Sequence, residues 1–471
     1  MEDNTMTQPM PDQVQPQAMP MQSPQPQMPM QPIEEKKAGK GKVFGLIAAA
    51  MLLIGGGVFA GVKLFGKKDE PVPEPEPVAK VEPERPVVAE ATGALAVRFL
   101  KMENRGENAI YSPLSIKYAL SMLRDGADNE TRAEIEAVLG GATLTTYQNI
   151  AEKLSLANAV FIRDSFAGYV MDDYKTKMVT DYNAEVMFDK FQSAGVLDNW
   201  VSDKTFGLIR QVGLEIKPDT EMVLANALAI QMDWASKFEY TSTHGKDFYL
   251  EDGTKMVATT MMKDETMSET VGYYKDEEVT MATLDLAKQE DGTQLEFVAV
   301  MPTQAKLKDY IGTVDLEDVL QKESAKTTAD RTVDGVTLMI PKFKFEYKLS
   351  FVNDLKALGI ESAFSVALAD FSKMVNLEAL RRDEGVDMNI YVSDAVHKAN
   401  IDFSETGIKA AAVTAIAVAK GEAAMMSEPV VISIDRPFMF MIIDKDTKEV
   451  WFTGAVYEPN KWDDDVDAYV K

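Results

Sequence analysis

Hydrophobic positions follow three patterns in succession along the chain. The first is an uncharged run from Val43 to Val62, VFGLIAAAMLLIGGGVFAGV. It is apolar on every side of a helix and long enough, at 1.5 Å rise per residue, to cross about 30 Å of hydrocarbon. With Lys36, Lys37, Lys40 and Lys42 before it and Lys63, Lys67 and Lys68 after it, the run predicts a transmembrane helix over 43–65. From about Ala89 the pattern becomes amphipathic. ATGALAVRFLKMEN, SPLSIKYALSMLRDGA and NETRAEIEAVLG place apolar residues at helical spacing, and Ser112 followed by Pro113 is the chemistry of a helix start. Further on, LEFVAVMP, VTLMIPKFKFEY, YVSDAVHKANIDFS, VVISIDRPFMFMII and VWFTGAVYEP alternate or run as strands. Helices first and strands later predict one α+β domain with large sheets over 89–459.

The segments around these patterns are polar. Residues 1–42 consist largely of Pro, Gln and Met, too poor in aliphatic and aromatic side chains to offset the entropy of ordering, and are expected to be disordered. Residues 66–88 contain DEPVPEPEPVAKVEPERPVV; repeated Pro favours polyproline II and repeated Glu resists collapse, so about 20 residues at ~3.1 Å each make a stalk of roughly 60 Å. Residues 460–471 form an acidic C-terminal tail. No other export signal accompanies the span, which predicts a single-pass membrane protein with a cytoplasmic N-terminal tail and the large domain outside the cell.

Composition removes whole classes of chemistry. A formal net charge of −26 argues against nucleic acid, whose phosphates require clustered Lys and Arg. With no Cys there is no disulfide framework, thiolate metal site or Cys nucleophile. Two histidines remain, His244 in the polar stretch STHGKDF, read as an exposed loop, and His397 in an alternating strand, where a hydrogen-bonded core histidine is expected. The chain has no G-x-S-x-G, H-E-x-x-H or G-x-x-x-x-G-K-[ST], and Asp463-Asp464-Asp465 read as solvated tail charges. Neither catalysis, nor a metal, nor a cofactor is expected.

One segment departs from ordinary patterning. Residues 405–426, ETGIKAAAVTAIAVAKGEAAMM, are small and Ala-rich, with strand-like alternation over 408–418. As a strand, Ile408, Ala410, Ala412, Thr414, Ile416 and Val418 share one face, which suits entry into a sheet with that face on a core. An exposed Ala-rich helix fits the composition equally well.

The globular part resembles the serpin family over about 89–459. NAIYSPLSIKYALSMLRDGADNETRAEIEAVLG, LANAVFIRD, LDNWVSDKTFGLI, MVLANALAIQMDWASKFEYTST, VHKANIDFSETGIKAAAVTAIAV and DRPFMFMIIDKDTKEVWFTGAVYEP occur in the family's order. The resemblance implies three β-sheets, about nine helices and an exposed reactive-centre loop near 405–429. It implies a suicide-substrate inhibitor of serine, possibly cysteine, proteases: the cleaved loop inserts into the central sheet and traps the acyl-enzyme. Glu405, Gly407, Ile408, Ala410, Ala411 and Ala412 then correspond to the hinge, Lys342 to the basic partner of Glu405 with Trp234 near it, and Ser112, Asn226 and His397 to a polar cluster that lets the strands part. Ile408 stands where the family usually has Thr or Ser, and Lys409 where it often has Glu.

The family's spacing forward from Glu405 puts the scissile bond after Gly421, which is flanked by Lys420 and Glu422, whereas counting back from Arg436-Pro437-Phe438 gives Met426-Ser427. The hinge-side count is preferred because inserted length decides how far a protease is carried. Lys420 suits a trypsin-like target and the Ala-rich surroundings an elastase- or subtilisin-like one. A monomer is expected. The alternative is a non-inhibitory serpin acting as a surface binding or adhesion module.

Overall fold

A computed structural model describes residues 95–408 and 429–463, apart from 142, 143, 145, 146, 148, 151, 333, 386 and 387. The expected disordered tail, transmembrane span and stalk lie outside the described residues, as does the loop from 409 to 428. Among the described residues, no helix is long and apolar enough to cross a membrane.

The amphipathic segments at the start of the domain form the helices Leu95–Met102, Pro113–Gly126 and Asn129–Leu139, three of nine α-helices among the described residues. Ser112 caps the second helix, its side chain accepting from the Ser115 amide with Pro113 in the first turn. Gly140, at φ +60°, ends the third in the left-handed conformation that glycine adopts without steric cost.

Three sheets form the rest of the body. The central one runs Ala184–Asp189, Leu154–Arg163, Met222–Ile230, Val392–Ser404 and Phe343–Ser350, and two short strands, Gly407–Ile408 and Met232–Asp233, complete its upper end. A second seven-stranded sheet contains the nearly all-apolar strands Leu295–Pro302, Phe438–Asp444 and Val450–Val456, which are buried throughout. A four-stranded sheet is ordered Val430–Ser433, Val336–Pro341, Lys255–Glu265 and Thr243–Tyr249.

The central sheet has two different faces. On one, Leu224, Leu228, Met232, Ala395, Ala399, Ile401 and Phe403 join the main core over the helix Pro113–Gly126. On the other, Phe161, Val223, Ala225 and Val396 pack under the helix Gly195–Lys204, with Phe161 and Trp200 edge to face at 5.8 Å. Period-2 alternation produces this division directly.

Three expectations about elements are corrected. VTLMIPKFKFEY, read as one strand, is two, Val336–Pro341 and Phe343–Ser350, because the chain bends at Lys342 to pass from the four-stranded to the central sheet. VVISIDRPFMFMII likewise divides into Val430–Ser433 and Phe438–Asp444, since Pro437 cannot donate to a ladder. His244 is exposed as expected but lies in the strand Thr243–Tyr249, opposite Thr260, rather than in a loop. Polar alternation on a solvent-facing strand of an outer sheet reads like a loop when hydrophobicity is the guide.

Candidate functional site

The two central strands of the sheet, Met222–Ile230 and Val392–Ser404, run parallel, and their pairing is confined to the lower end. Met222, Val223, Leu224 and Ala225 pair with Val392, Asp394, Ala395 and Val396, and there the register stops. At the upper end Gly407–Ile408 lies between the strands as a wedge, pairing Phe403 and Ser404 on one side and Met232 and Asp233 on the other. Between these ends, among the described residues, no ladder joins residues 226–231 to 397–402. Both strands are supported from outside, by nine pairs to Leu154–Arg163 and eight to Phe343–Ser350. The result is a slot in an otherwise continuous sheet.

The wedge is sterically demanding. Gly407 has φ +153°, a region essentially restricted to glycine, and a Cβ there would stand 2.1 Å from the Met232 carbonyl oxygen. Ile408 is 3% exposed within the main core; at this position an apolar residue is accommodated and a charge would not be. Replacing Gly407 with alanine is therefore expected to expel the wedge at a cost of about 2 kcal/mol. Faster hydrogen exchange at Met232 and Asp233 and a lower melting temperature would report it; unchanged exchange would contradict the steric reading.

Glu405 lies in the turn before the wedge and is buried. Lys342 Nζ contacts its carboxylate at 2.9 and 3.1 Å, and Thr243 Oγ1 donates to Oε1 at 2.9 Å. The backbone of the same turn is also held: Trp234 N donates to the Thr406 carbonyl at 3.0 Å, Phe238 N to the Glu405 carbonyl at 2.9 Å, and Trp234 Nε1 to the Ser404 carbonyl at 2.8 Å. A buried carboxylate stripped of such partners is strongly destabilising. Beneath lies an aromatic cluster, with Phe403 stacked on Phe343 at 4.7 Å and edge-on to Trp234 at 5.1 Å.

The resemblance implies that Glu405, Lys342 and Trp234 lie together, and in the structure they do. The resemblance did not point to Thr243 or Lys263. Lys263, nearly buried, donates to the carbonyls of Ser236 and Lys237, pairs with Glu265 at 3.1 Å and lies 5.1 Å from the centre of the Phe238 ring. Burial pushes its pKa down. It fastens the turn whose Phe238 amide reaches Glu405. Nothing in a lone Lys within MMKDE signals this; only the three-dimensional crossing of that strand under residues 236–238 does.

The polar cluster sits at the lower edge of the slot. His397, 3% exposed, accepts from the Ser112 amide at Nε2 over 3.1 Å, so the neutral ring carries its proton on Nδ1. Burial holds its pKa down at about 4. Asn226 donates through Nδ2 to Asn158 Oδ1, and Asn158 donates to the Tyr182 carbonyl. Asn226 Oδ1 and Ser115 Oγ are buried without a protein partner. Asn158 and Ser115 extend the expected trio of Ser112, Asn226 and His397; the meeting of two amides from facing strands becomes visible only once Asn158 is known to pair with Asn226.

Ala410, Ala411, Ala412, Lys420, Gly421, Glu422, Met426 and Ser427 lie outside the described residues. Among the described residues no group of three or more His, Cys, Asp or Glu could hold a metal ion.

A parted central sheet with a hinge wedged into its top matches a known architecture. Residues 90–459 match the sequence profile of the family described as serpin (serine protease inhibitor), and the chain belongs to the serpin family, whose members are generally protease inhibitors rather than catalysts. It is 27% identical over 378 residues to alpha-1-antichymotrypsin of Homo sapiens, covering 75% of this chain and 83% of that one. It is 25% identical over 405 residues to an uncharacterized serpin-like protein of Thermococcus kodakarensis, covering 81% and 88%. Among solved structures, the thermophilic serpin tengpin in its native state superimposes with a TM-score of 0.65 at 27% identity, over 78% of this chain and 92% of that one.

Proposed function

We propose that this protein is a suicide-substrate inhibitor of serine proteases, tethered to a membrane through residues 43–65 and held off it by the stalk at 66–88. The observation that carries the reading is the slot between residues 226–231 and 397–402, already entered at its top by Gly407–Ile408. A strand inserted there would be antiparallel to both neighbours and would complete their ladders, a large gain in hydrogen bonding available only after the loop is cut.

The existing register fixes what insertion would bring together. Ile408 pairs with Met232 and Phe403; continued downward, Ala410 would meet Ile230 and Ile401, Ala412 would meet Leu228 and Ala399, and Thr414 would meet Asn226 and His397. All of those apolar neighbours belong to the main core. Small side chains at 410 and 412 therefore enter beside filled positions without overpacking, and the Thr414 hydroxyl arrives where Asn226 Oδ1 has no partner.

The scissile bond falls between 420 and 427 on this reading, with Gly421 preferred over Met426, and a trypsin-, elastase- or subtilisin-like protease as target. The domain lies outside the cell, where such proteases act. Lys409 and the long loop favour a second reading, a non-inhibitory binding module. Cutting the loop and measuring melting separates the two: insertion raises the melting temperature strongly, whereas an unchanged value supports the binding module.

A further inference from the structure

We propose that residues 458–463 form a strap that governs how readily the central sheet opens, with Asn460 and Trp462 as positioning residues for the hinge; this rests on the inhibitor reading above. Sequence grouped 460–471 as a tail, but Asn460 to Trp462 are bonded into the body. The strand Lys255–Glu265 loses one neighbour where Val336–Pro341 ends and the chain turns at Lys342, leaving the edge of Val257–Thr259 to be covered. The strap covers it. Thr259 N donates to the Asn460 carbonyl at 2.9 Å, Trp462 N to the Val257 carbonyl at 3.0 Å, and Lys461 bridges Ala258.

The same three residues contact the chain at or next to both residues that hold Glu405. Asn460 N donates to the Lys342 carbonyl at 2.8 Å, and Asn460 Oδ1 accepts from the Lys344 amide at 3.0 Å, so Asn460 brackets the bend carrying Lys342. The Trp462 ring lies against Gly245, two residues after Thr243, so closely that a Cβ on Gly245 would stand 2.9 Å from Trp462 Cγ and 2.9 Å from Val257 Cγ1. Glycine at 245 is the space in which the indole sits. Lys342 and Thr243 both hold Glu405, in the turn that follows Val392–Ser404, and the strap bonds the backbone of Lys342 and packs on the strand two residues beyond Thr243. Loosening it lets Glu405 go and the slot widen.

The test uses the full chain in detergent micelles and a synthetic peptide of residues 408–420, whose incorporation is followed by native gel and by melting temperature. Trp462→Ala, which removes the ring, and Gly245→Ala, which evicts it, should each accelerate incorporation roughly tenfold, the effect of losing a packed contact from the closed state. Trp462→Phe should restore a rate close to that of the unaltered chain. The double variant should be no faster than either single one, because both break one contact. Equal rates in all variants would overturn the strap while leaving the inhibitor reading intact. Failure of the peptide to enter any of the proteins would overturn both.

Discussion

If the protein is the inhibitor proposed above, Ala412→Asp is expected to turn it into a substrate: the protease cleaves the loop, no denaturant-stable complex survives, and active protease is recovered. Continued on insertion, the register of the wedge would carry Ala412 between Leu228 and Ala399, which are 4% and 1% exposed on the core face of the sheet. A carboxylate there has neither water nor a cationic partner. Effective penalties for such burial are several kcal/mol, and even about 4 kcal/mol in the inserting transition state slows insertion roughly a thousandfold, enough for deacylation to win. Ala411→Asp is the control. On insertion residue 411 would fall on the opposite face, next to Ala229 and the part-exposed Asn400, and its substitution should impair inhibition much less. Equal effects at 411 and 412, measured as the fraction of complex on denaturing gels, would mean that the wedge does not set the register of insertion.

Acid destabilises the fold through His397, and His397→Gln removes that part of the pH dependence. Folding lowers the pKa of the ring from 6.5 to about 4 through burial. The unfolded chain therefore binds a proton between these values that the native state refuses, so stability is complete above about pH 6.5 and falls as pH drops toward 4. The full loss amounts to about 3 kcal/mol. Glutamine can still accept from the Ser112 amide but does not titrate. Urea unfolding at intervals from pH 7 to pH 4 should give a difference between the two proteins that shrinks or reverses as pH falls. A constant difference would show that His397 is not the responsible group. Because the ring stands at the lower edge of the slot, the same protonation also loosens the polar cluster there, which on the inhibitor reading is the cluster an inserting strand passes.

The elements that set the fold were largely written in local pattern. Ser112-Pro113 marked a helix start because capping depends on neighbours in sequence, and nearly all-apolar runs such as Leu295–Pro302 read as strands. Legibility failed where one apolar run serves two sheets. Residues 336–347 have unbroken strand chemistry, and only the crossing at Lys342, tied to Thr259 and Asn460, divides them. The site shows the same division. Glu405, Lys342 and the polar trio could be picked out through resemblance. Thr243, Lys263, Asn158 and Asn460 could not, since each contributes its bonds from a distant part of the chain and has no signature of its own. Gly245 is the instructive case: in STHGKDF it suggests a turn, yet it is a strand residue kept bare for the ring of Trp462.

The most direct test of the central claim is to mix the detergent-solubilised chain with trypsin, elastase, chymotrypsin and subtilisin and to analyse each mixture by denaturing gel and intact mass. Suicide inhibition by loop insertion predicts a denaturant-stable complex with at least one of them, together with a released C-terminal peptide whose mass places the cut after Gly421 rather than Met426. Clean cleavage of the loop by all four, with no complex and no gain in melting temperature, would contradict it.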